Sequence, residues 1–165
     1  MAYLKKPGTL PDSTVKASND SLVFLKKVSN NNVSLMHAAL ADHFDLSGIK
    51  IYEHRDKIIA LSNDYIKLPP HGITLCGVTT GVIEKNRFTP HHHFFHAYGG
   101  CCRNRLELTD NDPRLWKYLA GQEISDEQVL KGYGILCYEG IPIGGFKASS
   151  GRLKNHYPKA LRNLL

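Results

Sequence analysis

Residues 151–162 read Gly151-Arg152-Leu153-Lys154-Asn155-His156-Tyr157-Pro158-Lys159-Ala160-Leu161-Arg162. This stretch, called the basic segment below, contains four permanent cations and no carboxylate. Lysine and arginine donate hydrogen bonds but accept none, so the segment is suited to bind oxyanions such as phosphate. His156 and Tyr157 add flat rings on which an unpaired base can stack. The alternative interpretation is a solvated C-terminal tail.

The residues around the basic segment predict a folded unit. Two strands are expected over Gly132–Tyr138 and 141–147, joined by a turn at Glu139-Gly140. Ser149-Ser150-Gly151 is expected to form a flexible turn leading into the basic segment. Pro158 has the φ angle that suits the first turn of a helix, so a short closing helix is expected there.

Short helical and extended patterns alternate through the rest of the chain. Glycines separate these short elements, which favours an α+β fold, with a small mixed β-barrel and peripheral helices, over a parallel sheet. Strands are expected over 21–25, 50–53, Lys57–Leu61, 73–76, 82–84 and Arg105–Leu108. Three helices are expected: one over 30–44 with its cap in Asn30-Asn31-Asn32, one from Pro90 to Tyr98, and one that Asp112 caps, Pro113 starts and Gly121 ends.

Positive charge is concentrated at the C-terminal end. The formal net charge is +6 at pH 7, and residues 131–165 hold six Lys or Arg against Glu139 alone. Such clustering is the footprint expected for a polyanionic partner. The charge changes after Gly99-Gly100, which is therefore the predicted domain boundary. We expect a linker or ragged N-terminus over 1–20, a small α+β domain over 21–99 and a second domain over 100–165.

Several classes of protein are disfavoured. No apolar run reaches the length of a membrane span and the N-terminus lacks a signal-peptide core, so a cytoplasmic protein is expected. The four cysteines show no C-x-x-C spacing, which indicates reduced thiols. The G-x-S-x-G elbow of hydrolases and both glycine-rich nucleotide-binding motifs are missing from the sequence.

A histidine cluster at residues 91–96 suggests one further hypothesis. His92 and His96 are four residues apart, so on a helix they share a face, as metal-binding pairs do. Cys101 and Cys102 follow closely and could complete a tetrahedral site. The H-E-x-x-H and deaminase signatures are missing, however. Ordinary helix histidines are therefore expected, with no metal, and a small metalloprotein is the least favoured alternative.

The predicted hairpin and the basic segment closely resemble the C-terminal PUA-like domain of RsmF-type RNA cytosine-5 methyltransferases. These enzymes belong to the Sun/Nop family, which modifies ribosomal RNA. The matching residues are Gly132-Tyr133-Gly134-Ile135-Leu136, Gly140-Ile141-Pro142-Ile143-Gly144, Lys147 and all of residues 151–162, preceded by the helix-to-glycine approach Tyr118-Leu119-Ala120-Gly121-Gln122-Glu123-Ile124.

A weaker resemblance extends upstream to about residue 50. The family's preceding small domain has a G-x-x-K-K-x-R-F-x-P-x-H pattern, which residues 81–92 resemble. The resemblance thus implies that residues 21–99 are similar to that first C-terminal domain and that residues 100–165 are a PUA-like RNA-binding domain. The matching residues are Gly77, Gly81, Glu84-Lys85-Asn86-Arg87-Phe88, Pro90 and His92.

The second glycine-rich strand departs from the family pattern. The family has P-L-G-W-G-K, where this chain has Pro142-Ile143-Gly144-Gly145-Phe146-Lys147. The aromatic residue is displaced by one place. We therefore expect Phe146 to point to the opposite face of the strand from the family's tryptophan.

The family's catalytic domain has no counterpart in this sequence. That domain needs a doubly wound fold for S-adenosylmethionine and two cysteines, each after a proline or in a Thr-Cys-Ser-Pro setting. No cysteine here follows proline, and 165 residues are too few to hold that domain beside two small ones. We expect no methylation by this chain alone, no catalytic residue and no bound cofactor. S-adenosylmethionine would belong to a separate catalytic domain.

The favoured hypothesis is an RNA-binding module that positions small-subunit ribosomal RNA for a methyltransferase. Phosphate contacts would position the module, and the two rings of the basic segment would meet unstacked bases. The alternative is a protein-interaction or ribosome-assembly module that docks a separate catalytic subunit through Tyr157, Leu161, Leu164 and Leu165. The predicted RNA-binding residues are Lys147, Arg152, Lys154, Asn155, His156, Tyr157, Lys159 and Arg162.

Overall fold

The computed structural model describes residues 25–61, 77–127 and 130–164, and these residues form two five-stranded sheets and three α-helices. The α+β class expected from the sequence is confirmed. No helix in these ranges is long and apolar enough to cross a bilayer. The strands are β1 (Lys26–Lys27), β2 (Lys50–His54), β3 (Lys57–Leu61), β4 (Val78–Glu84), β5 (Arg87–Pro90), β6 (Arg105–Leu108), β7 (Ile124–Ser125), β8 (Gly132–Tyr138), β9 (Ile141–Ser149) and β10 (Arg152–Asn155), and the helices are α1 (Asn30–Leu40), α2 (His92–Tyr98) and α3 (Pro113–Leu119).

The first sheet is antiparallel, with the strand order β1-β2-β3-β4-β5. The predicted hairpin of β2 and β3 is confirmed, with Lys50 opposite Leu61 and His54 opposite Lys57. The strand expected over 82–84 is the end of the longer β4. The strand expected over 73–76 and most of that over 21–25 lie outside the described residues.

Two helix starts differ from the prediction. Ser29, rather than an asparagine, caps α1 by accepting a hydrogen bond from the Asn32 N–H at 3.3 Å. Pro90 ends strand β5 instead of opening α2, which begins at His92 with His91 as its cap. β5 is an edge strand, where a proline is tolerated because its missing N–H leaves no ladder hydrogen bond unmade.

The end of α2 agrees with the prediction, whereas that of α1 does not. α2 ends at Tyr98, as expected, and the glycine pair continues the chain as a 3-10 helix, Gly99–Cys101. α1 stops at Leu40, short of the expected Phe44, in a stretch without a strong local stop signal such as a proline.

The second sheet is mixed and curls into a half-barrel, with the strand order β6-β8-β9-β10-β7. β6 and β8 are parallel, whereas the other neighbours are antiparallel. The predicted β8–β9 hairpin is confirmed, and β9 extends to Ser149. Asp112 caps α3 and Pro113 occupies its first turn, as expected.

The basic segment is part of this second sheet. Its first residues form β10, which pairs with both β9 and β7. Ser150 and Gly151 have φ angles of 50° and 75°, so the expected flexible turn is a tight hairpin turn. The short closing helix expected after Pro158 is present as a 3-10 helix over Lys159–Leu164. The interpretation as a free tail is therefore wrong for residues 151–155.

The β8–β9 ladder has two covered faces. One, the α2 face, includes Tyr133, Ile135 and Gly145, and a Cβ on Gly145 would lie 2.2 Å from the Phe95 ring. The other, the α3 face, includes Phe146 and Gly144, and a Cβ on Gly144 would lie 2.4 Å from the Tyr118 hydroxyl. Phe146 is thus buried beneath α3, on the face opposite to residue 145.

The core on the α2 face joins residues from both sides of the glycine pair. Phe44 and Phe94, with ring centroids 4.8 Å apart, share one buried cluster with Cys102, Ile135 and Cys137. The division into domains at 99/100 stays a prediction.

Gly134 lies where the Phe146 ring and the Asn104 backbone approach β8 closely. A Cβ there would lie 2.4 Å from the Phe146 ring and 2.5 Å from the Asn104 carbonyl oxygen. We expect Gly134→Ala to lower the free energy of unfolding by about 1–3 kcal/mol, because a packed core resists an added methyl group. Urea denaturation followed by circular dichroism measures the change. Gly100→Ala is the control, since a Cβ there would meet nothing within 4 Å. An equal effect at both positions would contradict the packing argument.

Candidate nucleic-acid interface

A row of side chains crosses three strands of the second sheet. Tyr133 on β8 lies opposite Lys147 on β9, which lies opposite Lys154 on β10. Directly opposed residues share a face of a sheet, and residues two apart on one strand do too. Arg152 therefore joins the two lysines on the α2 face. Lys147, Arg152 and Lys154 are all exposed and are called the basic face below.

The two lysines of the basic face have few compensating charges. Lys147 places its Nζ 5.0 Å from the centroid of the Tyr133 ring, a cation–π distance. Within the described ranges, neither lysine forms an ion pair with a carboxylate. Like charges directly opposed on a sheet repel each other, and a bound anion relieves that repulsion. The pair is therefore suited to bind phosphate.

Arg152 is partly neutralised. Its Nε lies 2.5 Å from Glu123 Oε1, and the arginine side chain is 75% exposed. An ion pair so open to water contributes little free energy, typically about 0–1 kcal/mol. The guanidinium can therefore exchange its carboxylate partner for phosphate at small cost.

His156 contributes a ring to this surface but no charge near neutral pH. Its imidazole packs edge-to-face against Tyr133 and Phe95, with centroid distances of 5.4 and 6.0 Å. Burial, together with the positive charges of Lys154 and Lys147, lowers the pKa of His156 to about 4. The ring is thus neutral where the lysines are charged.

Asn155 points away from the basic face. Its amide nitrogen donates to the carbonyl oxygens of Tyr118 at 2.7 Å and Gln122 at 2.9 Å. Its Oδ1 accepts the Tyr157 N–H at 2.7 Å. Asn155 therefore ties the chain beyond β10 to the end of α3. Its contact with RNA stays a prediction, and the structure uses both amide groups within the fold.

Tyr157 and Arg162 also stabilise this C-terminal turn. The Arg162 guanidinium donates to the Tyr157 carbonyl oxygen from Nε at 3.1 Å and Nη2 at 2.7 Å. The Tyr157 ring contacts Tyr118 and His92, with centroids 5.7 and 5.9 Å away. Lys159 is exposed on the following 3-10 helix. The structure thus groups Lys147, Arg152, Lys154 and His156, and uses Asn155, Tyr157 and Arg162 to hold the turn.

The histidine cluster brings two rings together. The centroids of His92 and His96 are 4.3 Å apart. No group of three His, Cys, Asp or Glu side chains that could hold a metal ion is found among the described residues. Cys102 is buried and donates its thiol to the Asn104 carbonyl oxygen at 3.4 Å, and burial raises the pKa of that thiol to about 11. Metal binding at this cluster stays an untested hypothesis.

The protein-docking alternative receives no specific support. It relied partly on Tyr157, whose ring packs against Tyr118, and on Leu161, which is 39% exposed. Leu165 lies outside the described residues, and the Leu164 side chain is not among those described. This alternative also stays a prediction.

The sequence interpretation did not single out Tyr133, which is buried and supports the basic face from beneath Lys147. The sequence did contain a signal for this role: Tyr133 lies between Gly132 and Gly134 near the start of β8, the strand that pairs with the one carrying Lys147. The register of the hairpin is set by its turn, and it places Tyr133 beside that lysine.

Comparison with known proteins identifies the C-terminal part of the chain. Residues 103–163 match the family model described as the methyltransferase RsmF PUA domain. A protein of Shewanella oneidensis named ribosomal RNA small subunit methyltransferase F is 32% identical over 80 residues, covering 47% of this chain and 16% of the relative. A protein of the same name from Shewanella putrefaciens is 29% identical over 136 residues, covering 69% of this chain and 28% of the relative. The chain thus spans less than a third of the length of these relatives. The resemblance found in the sequence is confirmed: residues 103–163 form a PUA-like domain that is similar to the PUA domain of RsmF methyltransferases.

Proposed function

We propose that this chain is an RNA-binding module of a ribosomal-RNA methyltransferase and that it positions small-subunit ribosomal RNA for the catalytic domain. The observation that supports this most directly is the opposed pair Lys147 and Lys154, both exposed and without a carboxylate partner among the described residues. The family match over residues 103–163 and the names of the relatives support the choice of RNA as the polyanion.

The basic face would bind the RNA backbone. Lys147 and Lys154 contact phosphates as point charges, and Arg152 adds a forked donor once Glu123 releases it. Such contacts fix the position and orientation of the RNA without reading its sequence. Selectivity for unpaired RNA would come from the His156 ring at the border of this surface, which is partly exposed and packs on the buried Tyr133.

The chain supplies position rather than chemistry in this proposal. Covalent attack on a base requires a thiolate, and a buried thiol with a raised pKa stays protonated at neutral pH. Burial raises the pKa of Cys137 and of Cys102 to about 11. These two thiols are therefore poor nucleophiles, and in this proposal S-adenosylmethionine and the nucleophile belong to a catalytic domain outside this chain.

The double variant Lys147→Gln/Lys154→Gln tests the proposal. Each lysine that contacts phosphate contributes about −0.7 to the slope of log affinity against log salt on single strands, so the slope should become less negative by about 1.4. Affinity at low salt should fall by roughly tenfold or more for each lysine. Fluorescence anisotropy with a labelled single-stranded fragment of small-subunit ribosomal RNA measures both quantities.

Lys117→Gln is the matched control, because Lys117 is an exposed lysine on α3, across the sheet from the basic face. It should leave the salt slope unchanged. If the double variant and the control gave the same slope as the parent chain, RNA binding by the basic face would be ruled out.

A further inference from the structure

A cavity of about 580 Å³ lies beside α2. Its volume falls within the range of about 300–1,000 Å³ that small-molecule sites show. The wall is mostly apolar and combines side chains of α2 with others from the start of β4 and from the closing 3-10 helix. This cavity, called the histidine pocket below, is lined by Val78, His92, His93, His96 and Leu161 among others. Because His93, His96 and Leu161 are exposed, the pocket is open to solvent.

The imidazole of His92 is neutral and its hydrogen-bonding capacity is not used up by the fold. Burial lowers the pKa of His92 to about 4, with smaller contributions from His96, His93 and His91. Its Nδ1 is buried and has no hydrogen-bond partner within the described ranges, although buried polar atoms are nearly always bonded. The ring meets that of His96 edge-to-face, with centroids 4.3 Å apart. A neutral imidazole offers a donor, an acceptor and a flat face, so the pocket suits an uncharged planar ligand.

The histidine pocket is continuous with the basic face. His156 follows Lys154 by two residues and packs against Phe95 of α2, with ring centroids 6.0 Å apart. Tyr157 comes next and packs against His92 in the pocket wall, with centroids 5.9 Å apart. Lys154 and Tyr157 are three residues apart, so their Cα atoms lie within about 11 Å of each other. One nucleic-acid strand can therefore reach both the basic face and the pocket.

We propose that the histidine pocket takes one unpaired nucleobase of the RNA strand whose phosphates lie on Lys147 and Lys154. This inference rests on the proposed function of the basic face. The base would lie against the imidazole rings of α2, between the apolar side chains of Val78 and Leu161. Every base has a flat face that stacks on such rings, so the pocket would accept bases of different identity. A base held in a duplex cannot enter it, which would favour unpaired RNA.

His96→Ala tests this proposal. Affinity for the labelled single-stranded RNA should fall by about fivefold to a hundredfold, the effect of losing one contact between a base and a ring. The salt slope should stay unchanged, because the phosphate contacts remain. A labelled strand of the same length that lacks its bases should bind the parent chain and His96→Ala equally. Leu161→Ala, on the opposite wall material of the closing helix, should likewise weaken binding only of the strand that carries bases. His37→Ala, which removes an exposed histidine of α1, is the control and should change neither quantity.

The possible outcomes separate this inference from the proposed function. A loss of affinity in His96→Ala that is confined to the strand with bases, at an unchanged melting temperature, supports the pocket. An equal loss on the strand without bases overturns it, because the ring would then contact the backbone. Unchanged affinity in both His96→Ala and Leu161→Ala, while Lys147→Gln/Lys154→Gln still reduces the slope, also overturns the pocket and leaves the basic face standing. Failure of the unmodified chain to bind either strand overturns both proposals.

Discussion

Replacing Phe146 with alanine is expected to lower the free energy of unfolding by about 3–5 kcal/mol, the range for removing a fully buried aromatic ring. Phe146 is fully buried on the α3 face, in the same cluster as Leu115 and Tyr118 of α3. The ring also lies against Gly134, whose missing side chain makes room for it. Without the ring, α3 and the sheet would enclose a cavity. Urea denaturation followed by circular dichroism measures the loss.

Trp116→Ala is the control for Phe146→Ala. Trp116 also belongs to the PUA domain, but it is 56% exposed on α3. Its removal should change the free energy of unfolding by about 0.5 kcal/mol or less, as is usual for surface positions. Circular dichroism is the right probe, since Trp116 is the only tryptophan and its removal abolishes tryptophan fluorescence. A comparable loss in both variants would contradict the assignment of Phe146 to the core.

Asn155→Ala is expected to cost about 1.5–4.5 kcal/mol, because it removes three hydrogen bonds of about 0.5–1.5 kcal/mol each. One of these bonds holds the Tyr118 carbonyl group of α3, a second holds the Gln122 carbonyl group just beyond the helix, and the third fixes the start of the closing turn. Their loss leaves the Tyr118 carbonyl oxygen without its side-chain donor. The same denaturation experiment measures this cost.

Lys154→Ala is the neighbouring control, because Lys154 lies on the same strand as Asn155 but belongs to the exposed basic face. Its stability should be close to that of the parent chain, whereas its RNA affinity should fall. Asn155→Ala should show the reverse pattern at a temperature where it remains folded. Unchanged stability with weakened RNA binding in Asn155→Ala would instead show that its amide contacts RNA.

Elements with strong local signals could be predicted from the sequence. The β8–β9 hairpin is marked by Glu139-Gly140, and α3 by Asp112 and Pro113, so both were placed correctly. β10 was not predicted, because it depends on pairing with β7, more than twenty-five residues away, as well as with β9. Pro90 was misplaced because proline suits both an edge strand and a helix start.

The candidate site could be predicted in composition but not in geometry. The charges of the basic segment were evident, whereas their distribution over two faces depends on strand structure. Once residues 152–155 form a strand, Lys154 and Asn155 must point in opposite directions.

The core shared by the two sheets has a consequence for synthesis of the chain on the ribosome. Phe44 and Phe94 are translated early, but they share their core with Ile135 and Cys137 of β8. The early part of the chain therefore emerges with apolar side chains whose partners do not yet exist. If the first sheet folded alone during synthesis, it would expose an apolar surface of the kind that chaperones bind. The strands that are translated last therefore cover the apolar side chains of the earlier part of the chain and also carry the basic face.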